Sequence, residues 1–132
     1  MDITTIVGSG VALCLWDSMN GIGGAVHFLL PTTPDNEPGD TRYGNDAGDL
    51  LLKLLLDLGV RRSNLQAKIF GGLQPAFRFA NSRACVGSRN VGAALKFLAV
   101  KRIRLVSKEV GGDSSRRVIF HTDDGETWWE SL

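Results

Sequence analysis

The sequence predicts an α+β fold, with layered mixed β-sheets flanked by two main helices in a single domain. Three observations support this class. Short apolar runs alternate with glycine-rich turns, as in strands joined by tight connections. Two longer segments carry apolar residues at helical spacing. At 132 residues the chain can bury one core without disulfides or metals, so we expect one domain over residues 1–132.

The first half of the chain is predicted to form three strands, a loop and a helix, at residues 3–7, 11–17, 23–30, 31–44 and 46–58. Gly59 then ends the helix, as glycine commonly does after the last helical turn. Seven of the nine positions from Leu50 to Leu58 are leucine. A surface helix needs an apolar stripe of only about 100°. We therefore expect this helix to be core, covered on more than one side.

The second half is predicted to form a strand at 65–70, a loop to about Cys85, a helix at 90–100 and strands at 102–110, 116–121 and 127–131. The helix carries apolar residues at the spacing of one face. Asp123-Asp124-Gly125 supplies the turn between the last two strands. Mixed strands with two helices give the layered arrangement.

Composition and charge exclude several classes of function. The formal net charge is +1, and the basic residues occur in short groups among acidic ones. Without a basic stripe interleaved with aromatics, nucleic-acid binding is not expected. The apolar runs fall short of the roughly 20 residues that span a bilayer, so no membrane insertion is expected. No signal peptide is visible, and the default expectation is a cytoplasmic protein. The two cysteines have no metal-ligand spacing.

The most informative segment is Thr4-Thr-Ile-Val-Gly-Ser-Gly10, which is followed after a strand by His27. This segment resembles the active-site hairpin of the CheD family, the chemoreceptor glutamine deamidases of bacterial and archaeal chemotaxis. In that family the third residue of the Gly-Ser-Cys turn is the nucleophile. A threonine lies six positions before it, and a histidine follows seventeen positions after it. The resemblance implies a catalytic site at Gly10, the nucleophile's position, with His27 as general base and acid and Thr4 orienting the histidine.

Further motifs that resemble the same family follow in order along nearly the whole chain. Each motif is weakly specific alone, but their order and spacing together are specific. They are Arg42-Tyr43-Gly44-Asn45, Ala67-Lys68-Ile69-Phe70-Gly71-Gly72, Gly87-Ser88-Arg89-Asn90-Val91, Gly111-Gly112-Asp113 and Arg116-Arg117-Val118.

The chemistry of the family explains why Gly10 matters. In glutamine deamidation a thiolate attacks the carboxamide carbon, ammonia leaves with a proton, and water hydrolyses the thioester. The N–H groups of a tight turn can stabilise the oxyanion. Gly10 cannot attack a substrate, and losing the nucleophile of a comparable serine triad costs on the order of 10⁶ in turnover. We therefore expect this chain to be catalytically inactive or nearly so. The resemblance implies no metal and no cofactor.

Other residues are weaker candidates for a nucleophile. Cys14 lies roughly 13 Å along the strand from residue 10, too far for the same histidine. Cys85 falls in a loop whose position the sequence does not fix. The side chain of Ser9 points away from that of residue 10 by strand alternation. His121 ends a strand without catalytic neighbours, and we interpret it as structural.

Two functions follow from the resemblance. In the first, the chain is a homologue of the enzymes that convert glutamines on the cytoplasmic helices of chemoreceptors, silenced by Gly10. In the second, it is a non-catalytic docking partner of a CheC-type phosphatase, which acts on phosphorylated CheY, or of the receptors. Family members commonly carry about ten further residues before the strand that includes Thr4, so the sheet is expected to lack an edge strand.

Overall fold

The computed structural model describes residues 1–32, 40–74 and 86–132. It contains seven strands and two α-helices in these ranges, with a 3₁₀ turn at Arg62–Asn64. In chain order they are β1 (Asp2–Val7), β2 (Val11–Asp17), β3 (Ile22–Phe28), α1 (Gly44–Asp57), β4 (Gln66–Gly71), α2 (Val86–Lys101), β5 (Arg104–Val110), β6 (Arg116–His121) and β7 (Thr127–Ser131). The predicted α+β class is confirmed. The 3₁₀ turn is the one element without a sequence prediction.

The strands form two sheets. The four-stranded sheet has the order β3-β2-β4-β5, in which β4 and β5 are parallel and the other pairs are antiparallel. The three-stranded sheet is antiparallel with the order β1-β6-β7. Because β4 and β5 are parallel, the chain must cross over between them, and α2 lies on that crossover.

Strand β2 lies between two apolar cores, and all seven of its residues are buried. Successive side chains of a strand point to opposite faces. Val11, Leu13 and Leu15 belong to the core that includes the helices, whereas Ala12, Cys14 and Trp16 belong to the core shared with β1 and β6. The fold is therefore three layers, with the helices on one face of the four-stranded sheet and the three-stranded sheet on the other. The layered arrangement predicted from the sequence is confirmed.

The prediction that the leucines of helix α1 are covered on more than one side is wrong. Leu51, Leu52 and Leu55 are buried against the sheet and α2, but Leu50 and Leu54 are 42% and 51% exposed. A helix lying on one face of a sheet buries only one stripe. The extra leucines therefore remain on the solvent side of α1.

Helix α2 begins at Val86, four residues before the predicted start at Asn90. The helix includes Gly87, which the sequence pattern assigned to neither the loop nor the helix. A Cβ on Gly87 would stand 2.1 Å from the carbonyl oxygen of Leu73, so only glycine permits this close approach.

Both helices end with the same hydrogen-bond pattern, in which the residue after the C-cap adopts a left-handed conformation. In α1 the Gly59 N–H donates to the Leu56 carbonyl (3.0 Å), and φ of Gly59 is +94°. In α2 the Arg102 N–H donates to the Ala99 carbonyl (3.2 Å), and φ of Arg102 is +58°. The predicted end of α1 at Gly59 is confirmed. Arg102 holds a conformation that glycine adopts without a steric penalty.

Within the described residues, no helix has the length and apolar character needed to cross a bilayer. The same part of the chain contains no cluster of three or more metal-ligating side chains.

Candidate active site

The candidate site forms where the Gly8-Ser9-Gly10 turn carries the chain from one sheet to the other. β1 belongs to the three-stranded sheet, and β2, directly after the turn, belongs to the four-stranded sheet. β3 pairs with β2 in a register that sets Val11 opposite Phe28 and Ala12 opposite His27. The end of β3 therefore meets the turn, and His27 comes beside Gly10.

The His27 ring occupies the space that a side chain on residue 10 would need. A Cβ built on Gly10 would stand 2.8 Å from His27 Nε2 and 2.7 Å from the backbone carbonyl oxygen of Phe28. Both separations are shorter than real Cβ contacts allow. Gly10 and His27 therefore lie next to each other, and the turn and the end of β3 leave no room for a side chain at residue 10.

The second ring nitrogen of His27 contacts a threonine, which is Thr5. Thr5 Oγ1 lies 3.3 Å from His27 Nδ1. When Nδ1 carries the ring proton, its N–H donates to this hydroxyl and leaves the Nε2 lone pair directed at residue 10. That is the tautomer a general base needs toward a nucleophile at this position.

Thr4, which the sequence pattern selected for this role, lies on the other face of β1. Thr4 is exposed and pairs with Ile119 of β6, whereas the face of Ile3, Thr5 and Val7 turns toward the four-stranded sheet. Alternation along a strand puts consecutive side chains on opposite faces. The residue spacing from the turn selected Thr4, but the threonine whose hydroxyl contacts His27 is the next residue, Thr5.

The surroundings of His27 favour its neutral form. Desolvation lowers the pKa of His27 below its ordinary value of 6.5, since burial disfavours the charged imidazolium. No carboxylate within the described residues makes a hydrogen bond or ion pair with this ring. A neutral imidazole is able to accept a proton, as base chemistry requires.

The turn is anchored to the segment that follows β4. The Gly72 N–H donates to the Gly10 carbonyl, and the Leu73 N–H donates to the Gly8 carbonyl, both at 2.9 Å. A Cβ on Gly71 would stand 2.2 Å from the Gly10 carbonyl oxygen, and φ of Gly71 is +112°. The glycine pair at the end of β4 is therefore required by its contact with the turn. The two motifs are distant in the sequence but pack directly against each other.

Helix α2 supplies a second anchor through Asn90. This side chain is completely buried, and its Nδ2 donates to the carbonyl oxygens of Ser9 (2.9 Å) and Leu29 (3.0 Å). The sequence pattern singled out Asn90 only as part of a family motif. The sequence feature that could have identified Asn90 is its polar side chain near the start of α2, whose other buried residues are glycine or apolar.

The turn also leaves two amide groups available. Among the residues that the structure describes, none accepts a hydrogen bond from the N–H groups of Ser9 or Gly10. Free N–H groups beside a base are the donors that an oxyanion requires. The His27 ring and the N–H groups of the turn thus lie around residue 10.

The structure shows the positions of two alternative nucleophiles, Cys14 and Ser9. Cys14 is buried in the core between the sheets, and burial raises the pKa of its thiol to about 12, so it remains a protonated thiol at neutral pH. The carbonyl of Ser9 is bonded to Asn90, while Ser9 itself is exposed on the turn. Cys85 lies outside the described residues.

His121 is remote from this site, at the end of β6. Its Nδ1 contacts the Asp2 carboxylate on the adjoining strand β1. Its contacts support the interpretation of His121 as a structural residue.

Comparison with known proteins identifies the relatives of this chain. The model of the family described as CheD chemotactic sensory transduction matches residues 29–131. The "Probable chemoreceptor glutamine deamidase CheD 1" of Anaeromyxobacter dehalogenans is 40% identical over 130 residues, which cover 98% of this chain and 75% of that protein. The corresponding protein of Sinorhizobium medicae is 42% identical over 126 residues, covering 93% of this chain and 67% of its own length. That of Agrobacterium fabrum is 44% identical over 119 residues, covering 89% and 64%.

Proposed function

This chain belongs to the CheD family, and on that basis we propose that it binds the cytoplasmic helices of chemoreceptors without deamidating their glutamines. Its relatives are named as probable chemoreceptor glutamine deamidases. The substrate-binding surroundings would be retained and the reaction lost. Such a protein would act in the cytoplasm, where it would occupy receptor sites rather than change their charge.

The observation that carries this proposal is the geometry at residue 10. Gly10 offers no nucleophile, and His27 Nε2 lies only 2.8 Å from the point at which a side chain on residue 10 would begin. Covalent amide hydrolysis needs a thiolate or alkoxide beside its base. The remaining parts are present, namely His27, the Thr5 hydroxyl and the free N–H groups of the turn.

Apolar surface beside the site supports a binding role. Leu29 and Leu30 directly follow the end of β3 and are 53% and 37% exposed. Exposed leucines next to a polar site are suited to receive the apolar face of a helix. A CheC-type phosphatase is the second partner implied by the family resemblance, and the same leucines would serve that partner.

The test compares the unmodified chain with Gly10→Cys and with the double variant Gly10→Cys/His27→Ala. Each is incubated with a chemoreceptor cytoplasmic fragment, and glutamine-to-glutamate conversion is followed by mass spectrometry. Binding of the same fragment, and of a CheC-type protein, is measured in parallel by calorimetry. Because a Cβ at residue 10 must displace the Phe28 carbonyl or the His27 ring, folding of each variant is first verified by its thermal transition.

We expect the unmodified chain to bind receptor without conversion and the Gly10→Cys variant to convert it in a His27-dependent manner. Conversion by the unmodified chain would refute the proposal, and Cys85→Ser would then test the remaining thiol. Binding of the CheC-type protein alone would replace the receptor as the partner. Absence of binding to either would show that the docking function is wrong.

A further inference from the structure

Asn90 joins the two halves of the candidate site. Its amide Nδ2 donates to the carbonyl of Ser9, which directly precedes Gly10, and to the carbonyl of Leu29, two residues beyond His27. The Ser9 carbonyl belongs to the turn between the sheets, and the Leu29 carbonyl follows the end of β3. One side chain of α2 therefore bridges the position of the nucleophile and the strand end that carries the base.

The orientation of the Asn90 amide is determined by its partners. Both are carbonyl oxygens, which accept hydrogen bonds, so only the NH₂ end of the amide satisfies them. Its two N–H donors are both used, one on each carbonyl. The amide oxygen Oδ1 is buried without a hydrogen-bond partner among the described residues. The side chain is thus committed to these two carbonyls.

The approach of α2 that brings Asn90 into reach depends on Gly87 and Gly72. A Cβ on Gly87 would stand 2.6 Å from the Gly72 carbonyl oxygen, and a Cβ on Gly72 would stand 2.3 Å from Val91 Cγ2. The segment Gly72–Leu73 itself is bonded to the turn through Gly10 and Gly8. Helix α2 is therefore seated directly on the segment that holds the turn.

We propose that Asn90 is a positioning residue, which holds the Ser9–Gly10 turn against the end of β3 and thereby sets the distance between residue 10 and the His27 ring. This inference goes beyond the proposed function and does not depend on which partner binds. The Thr5 contact orients the ring of His27. Asn90 instead fixes the spacing of the two backbone segments to which residue 10 and His27 belong.

The competing explanation is that Asn90 contributes only to global stability, as any buried polar side chain with two hydrogen bonds would. The two explanations differ in what happens locally at His27. If Asn90 sets the spacing, its loss lets the turn and the strand end separate and exposes the imidazole to water. If it does not, the protein is less stable, but the surroundings of His27 are unchanged.

The experiment uses the near-isosteric Asn90→Leu, which removes the donors without adding a charge near His27, and Asn90→Ala. Thr122→Val is the matched control, because the buried Thr122 hydroxyl donates to the Met1 carbonyl (3.1 Å) away from this site. The ring protons of His27 are titrated by NMR in each protein. Hydrogen exchange of the Gly72 and Leu73 amides, which bond to the turn, is measured on the same samples.

We expect the pKa of His27 to rise toward its ordinary value in both Asn90 variants, because desolvation is what lowers it. The Gly72 and Leu73 amides should exchange at least about tenfold faster than in the unmodified chain, while core amides of β2 stay protected. Unchanged His27 titration in the Asn90 variants, with a loss of stability like that of Thr122→Val, would overturn the proposal.

A measurement on the unmodified chain covers the case in which the Asn90 variants do not fold. The side-chain NH₂ protons of Asn90 should exchange much more slowly than those of an asparagine in an unstructured peptide. They should also show scalar couplings through the hydrogen bonds to the Ser9 and Leu29 carbonyls. Exchange as fast as that of the peptide, or couplings to neither carbonyl, would refute the positioning role.

Discussion

Nε2 of His27 lies 2.8 Å from the point at which a side chain on Gly10 would begin. The same point is 2.7 Å from the Phe28 carbonyl oxygen, so a side chain at residue 10 must move either backbone or base. In this chain the turn and the end of β3 pack against each other and leave no room for a side chain at residue 10. The site therefore lacks a thiol, and it also lacks the space for any side chain at residue 10.

A side chain at residue 10 should destabilise the protein. Gly10→Ala is expected to lower the free energy of unfolding by about 1–3 kcal/mol, because the added methyl overpacks a closed site. The control is Gly92→Ala in α2, where a Cβ would meet nothing within 4 Å. That substitution should stabilise by about 0.5–1 kcal/mol through helix propensity. Chemical denaturation measures both, and a neutral Gly10→Ala would show that the turn opens freely.

Stability should depend on pH through His27. Its pKa is lowered by desolvation in the folded state, so the unfolded chain binds the proton more readily. Folding stability should therefore fall as pH decreases from about 6.5 through the lowered pKa of His27. The His27→Gln variant should lose less stability over this range than the unmodified chain. Urea midpoints between neutral and acidic pH test this, and parallel curves for the two proteins would contradict it.

Cys14 should be inert in the folded protein. Burial raises the pKa of its thiol to about 12, and the side chain lies in the core between the sheets. In a Cys85→Ser variant, the single remaining thiol should react with iodoacetamide only when the protein unfolds. The alkylation rate should then follow the unfolding equilibrium as urea is added. Rapid alkylation under native conditions would show that the inter-sheet core is open.

Arg102 should be replaceable by glycine with a gain in stability. Its φ of +58° lies in the left-handed region, where a side chain costs about 1 kcal/mol relative to glycine. Arg102→Gly should therefore raise the free energy of unfolding by a similar amount. Gly59→Ala at the matching end of α1 should lower it. Thermal denaturation of the two variants checks the opposite signs, and a destabilising Arg102→Gly would indicate that the Arg102 side chain stabilises the fold by more than this strain.

The leucines of α1 should divide into two groups. Leu54 is 51% exposed, and Leu54→Gln should change stability by less than about 0.5 kcal/mol. Leu55 is buried, and Leu55→Ala should cost about 2–5 kcal/mol. The comparison is made by chemical denaturation. Equal costs would show that the solvent side of α1 is covered in solution.

The sequence was informative about strands because their pattern is local. β1, β2 and β3 begin and end within two residues of their predicted positions, since glycine turns bound each of them. The resemblance to the CheD family singled out His27, and the β2–β3 hairpin brings that residue beside Gly10.

The remainder could not be predicted because it depends on packing between distant segments. Which face of β1 points inward is determined by its pairing with β6, and this selects Thr5 over Thr4. The leucines of α1 look alike in sequence, and only the layer arrangement separates Leu51 from Leu50. Asn90 acquires its role from two carbonyls far along the chain.

The pairing of β1 with β6 has a consequence for how the protein is made. β1 leaves the ribosome long before β6, and its register runs from Asp2 opposite His121 to Val7 opposite Arg116. A nascent chain can form the β2–β3 hairpin early, but Thr5 acquires its place beside His27 only after β6 has been synthesised. Contacts between segments so far apart in sequence form slowly. Premature termination anywhere before β6 would therefore yield a chain in which β1 is unpaired and Thr5 is not held beside His27.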